Sequence, residues 1–116
     1  MVLLPNHAQA KIDIRKLRDY VLNPQHPEGR HKARVFLSAL GLTAQDSEWL
    51  AAAIIEQLPA ADAIPTDVSP WGTLFRVDIE IVRGYRCAKV RTGWLCRNQS
   101  TTLTTCFIVG ECDETL

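Results

Sequence analysis

The chain has 116 residues, of which 47% are apolar and 22% charged, enough for one domain with a core that needs no metal or disulfide staple. Thirteen cations balance thirteen acids, so bulk charge points to no partner. No apolar run approaches the ~18 residues of a membrane span, and Pro5, Asn6 and His7 cut short the apolar start before it could act as a signal peptide; the expected location is the cytoplasm, unless the chain is exported as part of something larger.

Asp13 suits the N-cap of a helix over Ile14–Leu22, with Ile14, Leu17 and Val21 on one stripe. Asn23-Pro24 stops it, because the residue before a proline avoids helical dihedrals. A second helix is predicted to begin near Pro27 or Glu28, to place Ala33, Phe36, Leu37 and Leu40 on its apolar face, and to end at Gly41. The third runs from Ala44 to Leu58, with Thr43 as N-cap, Asp46 placed for a capping box, and Trp49, Ala52, Ala53, Ile54 and Leu58 facing inward.

Residues 60–71 read as a linker, with Pro65 and Pro70 among small residues. From Gly72 the apolar period changes to two. Phe75, Val77, Ile79 and Ile81 form one strand face, and Ala88, Val90, Thr92, Trp94 and Cys96 a second. Leu103, Thr105, Phe107 and Val109 are expected to line one face of the last strand. The fold class is therefore α+β: one domain over 1–116, with about three N-terminal helices (12–59) packed on a C-terminal antiparallel meander of three to four strands (72–110).

Charge is uneven along the chain. Lys11–Arg34 holds seven cations against three acids, Asp46–Asp67 five acids and no cation, and Arg76–Arg97 six cations against two acids. The basic segments either converge on one face or pair with the acids. Cysteines at 87, 96, 106 and 112 form no CxxC pair, and the three histidines stand far away, at 7, 26 and 31. The spacing predicts no metal site. Reduced thiols used as small core residues are expected, a disulfide only outside the cytosol. No phosphate-loop or dinucleotide glycine pattern occurs, and no cofactor is expected.

The segments LPN (Leu4–Asn6), IDIRKLRDYVLN (Ile12–Asn23), HPEGRHKARVFLSALGL (His26–Leu42), WGTLFRV (Trp71–Val77) and VRTGWLC (Val90–Cys96) resemble a small uncharacterised bacterial domain family with an HPxGRxKA motif. That family is similar to C-terminal modules of polymorphic toxins, and also occurs as stand-alone proteins encoded beside small partners. Its layout looks like the barnase–EndoU–colicin–RelE group of metal-independent ribonucleases. The resemblance implies an RNA substrate and a small cognate antitoxin or immunity-type partner. One departure stands out: LTTCFI (Leu103–Ile108) occupies a strand that in the family tends to read LVTAYP, so Phe107 and Ile108 replace a tyrosine and a proline.

Metal-free RNA cleavage needs proton transfer at the 2′-hydroxyl and the leaving oxygen, and cations for the phosphorane. Imidazole suits the first task and guanidinium the second. The catalytic candidates are His26, Arg30 and Lys32, with Thr105 assisting; Arg34, Arg86, Lys89, Arg91 and Tyr85 are candidates for gripping RNA. Each has a structural alternative. His26 could serve as a turn residue or N-cap substitute, Lys32 and Arg34 as a solvated helix face, and Arg86, Lys89 and Arg91 as cross-strand partners of Asp78 and Glu80. Two other functions fit the same residues: a non-catalytic module that docks a protein through its sheet edge, and a passive RNA-binding domain.

Overall fold

In the computed structural model, which describes residues 2–112, Asp13 opens the first helix as expected, its carboxylate accepting the Arg15 N–H at 3.0 Å. Helix α1 (Ile14–Lys16) runs straight into a π turn over Leu17–Val21, closed by a 2.8 Å bond from the Leu22 N–H to the Leu17 carbonyl. Helix α2 (Arg30–Leu40) starts later than the proline suggests, with Gly29 at its N-cap. Gly41, at φ 68°, ends it in the left-handed region that favours glycine. Helix α3 (Ser47–Gln57) follows a 3-10 turn over Ala44–Asp46, where the Thr43 N–H donates to Asp46 Oδ2 at 2.9 Å.

Four strands follow in antiparallel order: β1 (Ala63–Ser69), β2 (Gly72–Arg83), β3 (Arg86–Arg97) and β4 (Ser100–Glu111). The expected linker thus contains a strand. β1 tolerates Pro65 because it is an edge strand, and its register with β2 shifts between Pro65 and Asp67. The last strand also departs from expectation. Register shifts leave Thr104 and Val109 unpaired with β3, and each extra residue inverts the alternation. Leu103 and Cys106 are therefore buried, with Ile108 packed on the core, while Thr105 and Phe107 oppose Gly93 and Arg91 in register.

The helices lie on one face of the sheet, α2 against β3 and β4, and α3 against β2. Between the layers are Leu17, Phe36, Leu40, Leu50, Ile54, Val77, Ile81, Val90 and Trp94. Thr92 is also buried, and it is satisfied: its hydroxyl donates to the Val77 carbonyl at 2.6 Å and accepts the Trp94 indole N–H at 2.8 Å. Trp94 is core, as its strand face predicts. Trp49 is not: it lies at the surface beneath the Arg83 guanidinium, 4.8 Å from the ring centroid.

Cys87 and Cys112 are joined in a disulfide with Cα atoms 5.7 Å apart, so the expectation of four reduced thiols holds only for Cys96 and Cys106. The bond ties the end of β4 to the start of β3. Among the described residues, no helix is long and apolar enough to cross a membrane.

Candidate functional site

The turn before α2 is organised by His26. Its Nδ1 accepts the N–H groups of Glu28 and Gly29, both at 3.0 Å, and its carbonyl accepts the Arg30 N–H at 3.0 Å. The imidazole thus takes the place of an N-cap side chain, one of the readings the sequence left open. With Nδ1 engaged as acceptor, the neutral ring carries its proton on Nε2. Gly29 has its own reason: a Cβ there would collide with the Tyr20 carbonyl oxygen. The turn can therefore close directly on the π turn that carries Tyr20, and the His26 ring packs on the Tyr20 ring with centroids 4.5 Å apart.

Tyr20 forms one wall of a cleft at the edge of β4, about 300 Å³ in volume and lined by Lys16, Tyr20, Val21, Lys32, Thr104 and Thr105. Lys32 reaches it from α2. Its Nζ donates to Thr105 Oγ1 at 3.4 Å and stands 5.3 Å from the Tyr20 ring centroid and 5.6 Å from that of Phe107. The ammonium is thus held over two ring faces and one hydroxyl. Among the described residues, no carboxylate pairs with Lys32 or with Lys16.

β4 shapes the other wall. The unpaired Thr104 puts two threonines side by side at the cleft, and Gly93 on β3 makes room for them. A Cβ on Gly93 would lie 2.7 Å from Thr105 Cγ2 and 3.2 Å from Thr104 Oγ1. Beneath them Cys106 is fully buried, and desolvation pushes its thiol up to about 12 against a smaller opposing pull from Lys32. It is an inert thiol.

Of the catalytic candidates, Lys32 and Thr105 meet in the cleft, and His26 stands behind it through Tyr20. Arg30 does not join them: it lines a separate concavity with Arg34, Ala33 and Leu37. Helical geometry requires this, since residues two apart on an α-helix are separated by about 200°. The RNA-gripping candidates do not gather either. Arg91 forms a two-pronged pair with Asp78 at 3.0 and 3.1 Å, and Lys89 lies opposite Glu80 in the sheet register. Arg86 donates to the Leu37 and Ser38 carbonyls at 3.4 Å each, at the end of α2. Tyr85 is 92% exposed at the β2–β3 turn, and Trp71 projects from the β1–β2 turn. Lys16, Tyr20 and Gly93 were missed by sequence reasoning; the only available signal was the aromatic and the cation on the polar side of the first helix.

A carboxylate oxygen of Glu80 and the sulfurs of Cys87 and Cys112 all lie within 4.8 Å of one another. Because the two sulfurs are bonded to each other, only the carboxylate is left to ligate a metal.

The fold and the cleft define a small α+β protein with two lysines and no acid lining a polar cleft at its sheet edge. Residues 3–110 match the model of the family described as "Domain of unknown function (DUF6883)", and the chain belongs to that family. No curated protein and no solved structure matches it significantly.

Proposed function

We propose that the protein acts on RNA as a small, toxin-type, metal-independent ribonuclease that grips a phosphodiester in the β4-edge cleft and is governed by a partner protein. One observation carries this reading: the Lys32 ammonium is fixed by Thr105, Tyr20 and Phe107 beside Lys16, with no described carboxylate to neutralise it. An anion supplies what the cleft lacks. In this reading Lys32 offsets the charge that grows on the phosphorane, and the Thr104 and Thr105 hydroxyls donate to its non-bridging oxygens. The Tyr20 phenol protonates the leaving 5′ oxygen while the 2′ proton passes to solvent. His26 positions Tyr20 and does not take the 2′ proton, since its Nδ1 lone pair already accepts two backbone donors.

The test is cleavage of a fluorogenic oligoribonucleotide in EDTA by the wild type, Lys32→Met and Tyr20→Phe. Turnover is expected in the wild type, with loss of about a hundredfold or more in each variant. Equal cleavage by all three would assign the activity to a contaminant and sink the proposal.

A non-catalytic protein-binding module is the second reading, favoured by the engaged His26 lone pair and by the position of β4 at the sheet edge. The N-terminal segment covers only part of that edge, where the Lys11 N–H and carbonyl bond the Thr101 carbonyl and the Leu103 N–H at 2.8 and 3.0 Å. Such a module binds RNA weakly or not at all and cleaves none.

A further inference from the structure

The concavity holding Arg30 and Arg34 lies on the other side of α2 from the Lys32 cleft. It measures about 240 Å³, and its floor is made by Leu22, Ala33 and Leu42. At its rim Leu37, a residue of the apolar stripe of α2, remains 50% exposed. Sites for cofactors and drug-sized ligands run from about 300 to 1,000 Å³. This one is smaller and suits a single large apolar side chain, the kind of pocket that anchors one partner residue at a protein interface.

The charge around it is as informative as the floor. Arg30 and Arg34 are both exposed and stand four residues apart, hence one above the other along the rim. Helix α2, RHKARVFLSAL, contains no acid, and no described carboxylate pairs with either arginine. Two free guanidinium forks beside an apolar hole complement carboxylates flanking an apolar residue. A nucleic-acid backbone could meet the arginines, but it would leave the apolar floor uncovered.

We propose that this concavity is the docking pocket for an acidic polypeptide segment of a protein partner. The segment inserts one large apolar side chain against Leu22, Ala33 and Leu42 and lays carboxylates on Arg30 and Arg34. Because the pocket and the Lys32 cleft share no lining residue, the proposal stands independently of the ribonuclease reading, and a segment docked here leaves the cleft open.

The probe is a synthetic glutamate-rich helical peptide with one central leucine, titrated into the isotopically labelled protein and followed by amide NMR and fluorescence polarisation. The expected result is binding at about 1 mM or tighter, with the largest shifts at Ala33, Leu37, Leu42 and Ala44. Affinity should fall about tenfold or more in Arg30→Glu/Arg34→Glu, a variant that changes only exposed side chains and whose fold circular dichroism checks. Replacing the central leucine by serine should weaken binding similarly, and an oligouridine should neither compete nor shift these amides. Three results would each overturn the proposal: no binding, equal binding of a peptide with lysine in place of glutamate, or oligouridine shifting the same amides with the same dependence on Arg30 and Arg34. The last would make this an RNA track.

Discussion

Gly93 stands opposite Thr105 across the β3–β4 ladder, and a methyl group on Gly93 would come within 2.7 Å of Thr105 Cγ2. The absence of one carbon on β3 thus lets the hydroxyl that holds Lys32 sit where it does. Gly93→Ala must push the threonines aside. We expect a folded protein destabilised by about 1–3 kcal/mol in urea titrations, with RNA affinity reduced along with the Lys32–Thr105 contact. Unchanged RNA affinity would separate Thr105 from the site.

His26 caps a turn, and the choice of replacement separates capping from chemistry. His26→Ala removes the acceptor of two backbone N–H groups and should cost about 1 kcal/mol. His26→Asn supplies another acceptor and should restore much of that stability. If the imidazole acts only through the turn it caps, the asparagine variant keeps a substantial part of any RNA cleavage. Full stability with abolished cleavage would assign the ring itself a part in the reaction beyond the cap, through its packing on Tyr20 or by direct proton transfer.

The cysteines should behave as two classes. Breaking Cys87–Cys112, which lie 25 residues apart, removes about 3 kcal/mol in the loop-entropy account, measurable as a fall in unfolding midpoint with dithiothreitol. Cys106, with its thiol pushed up to about 12 by burial, should resist iodoacetamide at pH 8 until the protein is denatured. Rapid native alkylation of Cys106 would contradict the packing of β4.

Asp46 gives the fold an acid sensitivity. Its carboxyl is held below the ordinary range, first by the Thr43 N–H and then by the Arg83 guanidinium at 3.2 Å, against the opposing effect of burial. A depressed folded-state value means stability that is complete at neutral pH and lost as pH falls through about 4 toward that value. Asp46→Asn should lower stability at pH 7 by about 1 kcal/mol and flatten its decline between pH 5 and 3. Parallel stability-versus-pH curves for both proteins would assign the acid sensitivity elsewhere.

Elements specified by local chemistry were legible in the sequence. Asp13 caps α1, Gly41 ends α2 with a positive φ, Thr43 and Asp46 box the start of α3, and the alternation around Val77–Ile81 and Ala88–Trp94 sets the inner sheet face. What escaped depends on contacts between distant residues. β1 is obscured by Pro65 and by its register shift, both tolerable only because the strand lies at an edge. The face of Thr105 and Phe107 turns on the unpaired Thr104, which no period-two reading contains. Lys32 and Thr105 are grouped as candidates for one site by their chemistry, and they meet across 73 residues; the aromatic walls of that site, Tyr20 and Phe107, depend on packing that chain order does not reveal. Arg30 looked like a companion of Lys32 because they are close in sequence, yet the helix sends them to different sides of α2.

An NMR titration of the labelled protein with a short oligouridine tests the proposed anion site lined by Lys16, Tyr20, Lys32, Thr104 and Thr105. The largest shifts are expected at those five residues, and in Lys32→Met a weaker salt dependence, its log–log slope smaller by about 0.7, the loss of one single-strand phosphate contact. Shifts confined to the outer sheet face around Arg76 and Arg91, or a salt slope unchanged in Lys32→Met, would contradict it.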